Sequence, residues 1–181
     1  MTGIYGALVK RMARKMFGEV PEPVGVAWHN RKVLNFSFGV GRKVQKWGQC
    51  DESLKSFAHM AVASLVGCSF CLDLGYFQAH NDGLDLSKAR EVPRWRQSDA
   101  FTPLEREVMD YAEAMTQTAP TVTDEQSASL LDALGPAALV ELTAFIALAN
   151  FMTRSNVAMG IESQEFSAAC GLKPLALSST A

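Results

Sequence analysis

The segment VGCSFCLDLGYFQAH, residues 66–80, places two cysteines three positions apart in a region of helical apolar spacing. On a helix, residues i and i+3 lie on nearly the same side, with Cα atoms about 5 to 5.5 Å apart, a distance that a disulfide can span. Cys68 and Cys71 can therefore be bridged with little backbone movement. Gly67 predicts that Cys68 begins a new helix, where unpaired N–H groups and the helix dipole favour a thiolate over a thiol.

Two other interpretations of the cysteine pair remain open. The pair can be small buried residues without chemistry, because free cysteine is often buried. A zinc site needs two more ligands, and the sequence has neither a second CxxC nor an HxxxH motif. His80 is turned away from Cys71 by nine residues of helix, so we predict a surface or helix-end histidine there. We expect no bound metal ion and no cofactor.

The rest of the chain predicts an all-α fold. Apolar residues recur every three or four positions, and no run shows the period of two that is typical of strands. We predict a bundle of about seven to eight helices, with a helix capped by Asp51 that ends at Gly67. Its inward stripe is Leu54, Phe57, Ala61 and Leu65. Further helices are predicted to begin at Thr102 and Thr123, the second closed by Gly135, followed by a central helix over 136–161.

The order of these segments predicts one helical core, residues 45–165, after an N-terminal helical extension, 1–44, and before a C-terminal tail, 166–181. The first 46 residues carry nine Lys and Arg against two Glu. A basic helix with an apolar side is typical of a membrane interface, but we favour a helix that packs on a neighbouring subunit with its cations in solvent.

Composition excludes some classes of partner. The 181 residues include 17 Lys and Arg and 19 Asp and Glu, for a formal charge of −2, so neither nucleic acid nor an acidic membrane is an expected partner. No apolar run of about 18 residues and no signal-peptide pattern are present. Four cysteines without an export signal do not predict a disulfide framework. We therefore expect a cytoplasmic protein.

Three segments, SFAHMAVASLVGCSFCLD, FTPLEREVMDYAEAMTQ and ELTAFIALANFMTRSN, resemble the carboxymuconolactone decarboxylase family, in particular its alkylhydroperoxidase D-like branch. The resemblance covers about residues 45–163. It implies a helical fold, assembly into homo-trimers or hexamers, and reduction of a hydroperoxide by the cysteine pair. Cys71 would be the peroxidatic thiol, and Cys68 would be the resolving thiol, exposed to an external dithiol reductant.

Two positions depart from this branch, which usually has a glutamate twelve residues before the first cysteine and a histidine four after the second. Here these positions are Ser56 and Gly75, which cannot relay protons at neutral pH. His59, one helical turn after Ser56, is the candidate substitute, with a buried structural histidine as the alternative. Asp73 is a second candidate for the catalytic site, with capping or helix pairing as the alternative because a carboxylate would raise a nearby thiol pKa.

Three functions are consistent with these residues. The first is a thiol-dependent oxidoreductase that reduces hydroperoxides or exchanges disulfides through Cys68 and Cys71. The second is a helical oligomer whose cysteine pair senses oxidation or is vestigial. The third is a decarboxylase-type member that acts on a small carboxylated lactone, although such members generally lack CxxC. The cysteine pair favours the first.

Overall fold

The computed structural model describes residues 3–171, without the side chains of Met16, Ala169 and Cys170. The predicted C-terminal tail therefore lies mostly outside the described residues. The all-α prediction is confirmed, since the described residues form eight α-helices and two 3₁₀ helices and contain no strand. The chain forms two compact units, Met1–Lys46 and Trp47–Ala181. The proposed division into extension, core and tail stays a prediction.

The first unit contains three helices: α1, Gly3–Phe17, α2, Glu22–Ala27, and α3, Arg31–Val44. The side chain of Asn30 caps α3 by accepting hydrogen bonds from two backbone N–H groups, as is typical of asparagine at this position. The Tyr5 hydroxyl donates to Asn35 Oδ1 at 2.7 Å, which links α1 to α3. Helix α2 is not among the helices predicted from the sequence; it has a proline in its first turn, a position that proline fits.

The second unit contains five helices and both 3₁₀ segments. The α-helices are α4, Glu52–Val66; α5, Ser69–Asn81; α6, Leu86–Glu91; α7, Pro103–Thr116; and α8, Asp124–Ala158. The 3₁₀ helices are Val92–Gln97 and Phe166–Cys170. The first of these is not among the helices predicted from the sequence. Its Trp95 is buried and donates a hydrogen bond to Glu113 on α7, which a loop pattern in the sequence does not reveal.

Helix α4 lies at the centre of the core and packs against α5, α7 and α8. Its apolar side chains are almost fully buried, including Ala58, Met60 and Val62. The prediction that Leu65 faces inward is wrong, since 44% of this residue is exposed. Leu65 lies in the last turn of α4, where it lines an open cleft instead of the core.

Helix boundaries follow the predicted signals. Thr102 and Thr123 each form a capping box at the start of α7 and α8. Gly135 has φ 76° and ψ 165°, which interrupts α8 where a helix end was predicted. Glycine adopts this backbone conformation without the steric penalty that a Cβ atom brings. The segment after the interruption is the predicted central helix, which ends at Ala158, three residues early.

Helix α8 is the one helix of the described chain with the length and apolar composition of a membrane span. The core helix of a soluble protein can have the same length and composition. In α8, Glu141 forms a buried ion pair with Lys55 of α4, and Gly135 interrupts the helix. Both features are typical of a helix that packs inside a protein.

Candidate functional site

The cysteine pair lies at the junction of α4 and α5. Gly67 ends α4 in the left-handed conformation, with φ 78°, so that the chain turns directly into α5. Cys68 is the N-cap of α5, and its Sγ accepts a hydrogen bond from the Cys71 backbone N–H at 3.2 Å. The two sulfurs form a disulfide, with the Cα atoms 5.3 Å apart. The predictions that a helix begins at Cys68 and that the two cysteines are close enough for a disulfide are thus confirmed.

Both sulfurs are covered by protein. Cys68 is 0% exposed and Cys71 is 3% exposed. The solvent exposure of Cys68 that the family resemblance implies is therefore not found in the single chain. Direct attack by an external dithiol requires the protein around the sulfurs to open.

Asn156 is a residue of this site that the sequence analysis did not identify. Its side-chain Nδ2 donates a hydrogen bond to Cys71 Sγ at 3.3 Å, from the last turn of α8. The residue is buried, with 7% exposure. The sequence contains no clear signal for it, because Asn156 directly follows Thr153, Arg154 and Ser155 in a polar stretch of α8.

Asp73 is fully buried and accepts three hydrogen bonds from one short segment. Oδ2 accepts from Ser163 Oγ and the Phe166 N–H, both at 2.9 Å, and Oδ1 accepts from the Ser167 N–H at 2.8 Å. The carboxylate thus caps the 3₁₀ helix Phe166–Cys170 and ties it to α5. This is the anchoring use given above as the alternative, and a catalytic role for Asp73 stays a prediction.

Gly75 lies against α4 with no room for a side chain. A Cβ atom added there would lie 2.7 Å from Cγ of the buried Met60, closer than real Cβ contacts. The same point is 3.8 Å from Nδ1 of His59. The imidazole of His59 therefore lies beside the backbone position where the related branch usually carries its histidine. The hypothesis that His59 projects into the relay region is consistent with this arrangement, and its catalytic role stays a prediction.

The pKa of His59 is lowered to about 4, because burial disfavours the charged imidazolium. The residue as a whole is partly buried, and its ring makes no hydrogen bond to any other residue in the described part of the chain. At neutral pH His59 is thus an uncharged imidazole with one nitrogen able to accept a proton. His80, by contrast, is exposed at the end of α5, as predicted.

The lowered pKa of His59 predicts a loss of stability in acid. The folded-state pKa, about 4, is below the unfolded value of about 6.5, so below pH 6.5 the unfolded chain binds a proton that the native chain does not. Stability should fall by roughly 2 to 3 kcal/mol from pH 7 to pH 4 through this group alone. The free energy of unfolding, measured with urea across this range, should depend less steeply on pH in His59→Gln than in wild type. In His80→Gln its pH dependence should equal that of wild type. Equal slopes in wild type and His59→Gln would contradict the assignment.

The third described thiol side chain, Cys50, is free and buried in the core between α4, α7 and α8. Burial raises its pKa to about 11, so it remains a neutral thiol at physiological pH. In the sequence neither Cys50 nor Cys170 has a partner by spacing, which predicts a structural role for both. The burial of Cys50 is consistent with that role, and the side chain of Cys170 lies outside the described residues. Within residues 3–171, no group of three His, Cys, Asp or Glu side chains is arranged to hold a metal ion.

An open cleft of about 490 Å³ lies at the C-terminal ends of α4, α7 and α8. Leu65, Val66 and Val157 form its apolar wall. Arg154 also lines the cleft and donates hydrogen bonds to the Thr116 carbonyl and to Asn150. The cleft is lined by residues that directly precede Gly67 and directly follow Asn156 in the sequence.

Comparisons with known proteins agree with this architecture. The model of the carboxymuconolactone decarboxylase family matches residues 31–114. An uncharacterized protein, YnjA of Escherichia coli strain K12, is 34% identical over 154 residues, which are 83% of this chain and 84% of YnjA. The family match begins in α3, earlier than the resemblance predicted from the sequence.

Solved structures share the fold. A variant of the debrominase Bmp8 in complex with 2,3,4-tribromopyrrole has a TM-score of 0.77 and 20% identity, over 89% of this chain and 86% of that one. A putative antioxidant defence protein AhpD from Agrobacterium tumefaciens has a TM-score of 0.71 and 21% identity, over 76% of this chain and 94% of that one. The helical bundle, the paired cysteines and the family match together assign this chain to the carboxymuconolactone decarboxylase family.

Proposed function

We propose that this protein is a thiol-dependent oxidoreductase that reduces hydroperoxides through a dithiol–disulfide cycle of Cys68 and Cys71. The observation that carries the proposal is the bridge between these two residues at the N-terminus of α5. Two cysteines one helical turn apart can be bridged with little backbone movement. The helix start also stabilises negative charge on sulfur, which peroxide chemistry requires.

The proposed cycle begins with attack of the Cys71 thiolate on the terminal oxygen of a hydroperoxide. The O–O bond breaks, the alkoxide takes a proton and leaves as an alcohol, and Cys71 becomes a sulfenic acid. The Cys68 thiolate then attacks the Cys71 sulfur, the S–O bond breaks, and the hydroxide takes a proton to leave as water. An external dithiol reduces the disulfide by two exchange steps and is itself oxidised to a disulfide.

Two protons must be delivered to leaving oxygens in this cycle. Neither Ser56 nor Gly75 can supply them at neutral pH. The neutral imidazole of His59, beside Gly75, is the group we propose as the local proton carrier. A His59→Gln variant should then slow peroxide reduction by about 10² or more while the disulfide still forms, as expected for loss of a general acid–base group.

A redox-sensing role is the second candidate, and the burial of both sulfurs favours it. A sensor would be oxidised once by peroxide and would be reduced slowly by dithiols. A third candidate function, decarboxylation of a small lactone, makes no use of a disulfide.

Assembly into a homo-trimer or hexamer is part of our proposal, and exposed apolar side chains on α8 offer a surface for it: Val140, Phe151, Met152 and Val157.

The test is a steady-state assay of hydroperoxide consumption with dihydrolipoamide or dithiothreitol as the reductant. We expect multiple turnovers with an organic hydroperoxide, and oxidised dithiol formed in equal amount. A single turnover that stops at the disulfide would favour the sensor. Because the fold neighbour Bmp8 was solved with 2,3,4-tribromopyrrole, that compound is a useful second substrate, and its exclusive turnover would replace hydroperoxides as the substrate class.

A further inference from the structure

Asn156 contacts a reacting atom of the proposed cycle. Its side-chain Nδ2 lies 3.3 Å from Cys71 Sγ, and the residue is almost fully buried. The Cys68 sulfur has a different donor, the backbone N–H of Cys71 at 3.2 Å. Each sulfur of the bridge thus has its own hydrogen-bond donor, one from the backbone of α5 and one from a side chain of α8.

We propose that Asn156 is a catalytic residue that stabilises the thiolate of Cys71 by donating a hydrogen bond to it. This inference rests on the proposed function, in which Cys71 is the attacking sulfur. A disulfide sulfur is a weak acceptor, whereas a thiolate carries a full charge, and hydrogen bonds to charged groups are the stronger ones. The amide therefore stabilises the reduced, ionised form more than the bridged form.

The same contact favours Cys71 as the sulfur that leaves when the disulfide is reduced. When a reductant thiolate attacks Cys68, the S–S bond breaks and its electron pair passes to Cys71 Sγ, beside the Asn156 amide. A leaving thiolate that is stabilised in this way leaves faster. The reduced product then holds Cys71 as the charged sulfur, ready for the next peroxide.

The side chain of Asn156 is not needed to end its helix. The backbone carbonyl of Asn156 accepts hydrogen bonds from the N–H groups of Met159 and Ile161, which closes the last turn of α8. An amide also has no titratable proton, so its effect on Cys71 does not vary with pH. This distinguishes it from the glutamate and histidine expected at the positions of Ser56 and Gly75.

The test measures the pKa of Cys71 without any peroxide. In a Cys68→Ser background, the rate of alkylation of Cys71 by iodoacetamide is followed against pH by peptide mass spectrometry. The pH at which the alkylation rate is half-maximal reports the pKa of Cys71. Asn156→Ala should raise this midpoint by roughly one to two pH units, the size expected for loss of a hydrogen bond to a charged group. Asn156→Asp, which keeps the shape but adds a negative charge, should raise it further. Asn150→Ala, six residues earlier on α8, should leave this midpoint unchanged.

An unshifted midpoint in both Asn156 variants, with circular dichroism equal to the parent, would overturn the inference. Failure of the proposed function gives a different result. If the wild type consumes no hydroperoxide while the Asn156 variants still raise the midpoint, the hydroperoxide proposal is lost and the thiolate stabilisation by Asn156 stands.

Discussion

Replacement of Cys71 by serine is expected to lower dithiol-dependent hydroperoxide consumption by about a hundredfold or more. A serine hydroxyl is not ionised at neutral pH and is a far weaker nucleophile than a thiolate, so it cannot replace Cys71 as the attacking atom. Serine has nearly the volume of cysteine, and the fold should therefore be retained. The measurement is the rate of peroxide loss at saturating dithiol, with circular dichroism as the check on folding.

The companion variant, Cys68→Ser, separates the two roles. It should still react once with peroxide, because Cys71 remains, and it should then stop with a sulfenic acid at Cys71 that dimedone labels. Cys50→Ser is the matched control, since that thiol is buried and its pKa is raised to about 11. Rates within twofold of wild type for Cys71→Ser would contradict its role as the peroxidatic residue.

Replacement of Glu141 by leucine is expected to destabilise the protein by about 3 to 5 kcal/mol, the usual cost of breaking one side of a buried ion pair. Glu141 Oε1 lies 2.8 Å from Lys55 Nζ, and the side chains are 7% and 2% exposed. Burial lowers the pKa of Lys55, but its hydrogen bonds to Glu141 and Glu52 outweigh this effect and raise the pKa. Removal of Glu141 therefore leaves a lysine charge in the core with one exposed partner.

Glu141 also accepts hydrogen bonds from the N–H groups of Gln49 and Cys50, at 2.8 and 3.2 Å. These groups hold the segment that leads into α4, so the leucine variant loses the fixed entry to the central helix as well. The free energy of unfolding should be measured by urea denaturation.

Two further variants test the origin of this cost. Lys55→Met combined with Glu141→Leu should recover part of the loss, because no charge is then left without its partner, although the two N–H groups remain unpaired. The Glu52 side chain, the other partner of Lys55, is 71% exposed. Glu52→Gln should therefore destabilise the protein by less than about 1 kcal/mol. A Glu141→Leu variant within 1 kcal/mol of wild type would contradict the assigned role.

The features that could be predicted from the sequence depend on neighbouring residues. Thr102 and Thr123 cap their helices, and Gly67 and Gly135 end them, because these effects are decided within one turn of chain. The position of Cys68 at a helix start follows from Gly67 alone. The three-residue spacing of the cysteines similarly fixed the distance between their Cα atoms.

The features that were missed depend on residues far apart in the chain. Asn156 meets Cys71 across 85 residues, and Lys55 meets Glu141 across 86. No local pattern reveals such pairs, because they exist only after α4, α5 and α8 have packed together. The prediction that Leu65 is buried was wrong for a related reason. Helical periodicity shows which side of α4 Leu65 is on, but it does not show whether a neighbouring helix extends far enough to cover it.

The most direct measurement of the central claim is a single-turnover reaction of the fully reduced protein with one equivalent of an organic hydroperoxide. The account predicts one equivalent of alcohol and one new disulfide, which peptide mass mapping assigns to Cys68 and Cys71, formed at the same rate as the peroxide is lost. Peroxide that persists while both thiols stay reduced would contradict the account, as would a disulfide or sulfenic acid formed at Cys50 instead.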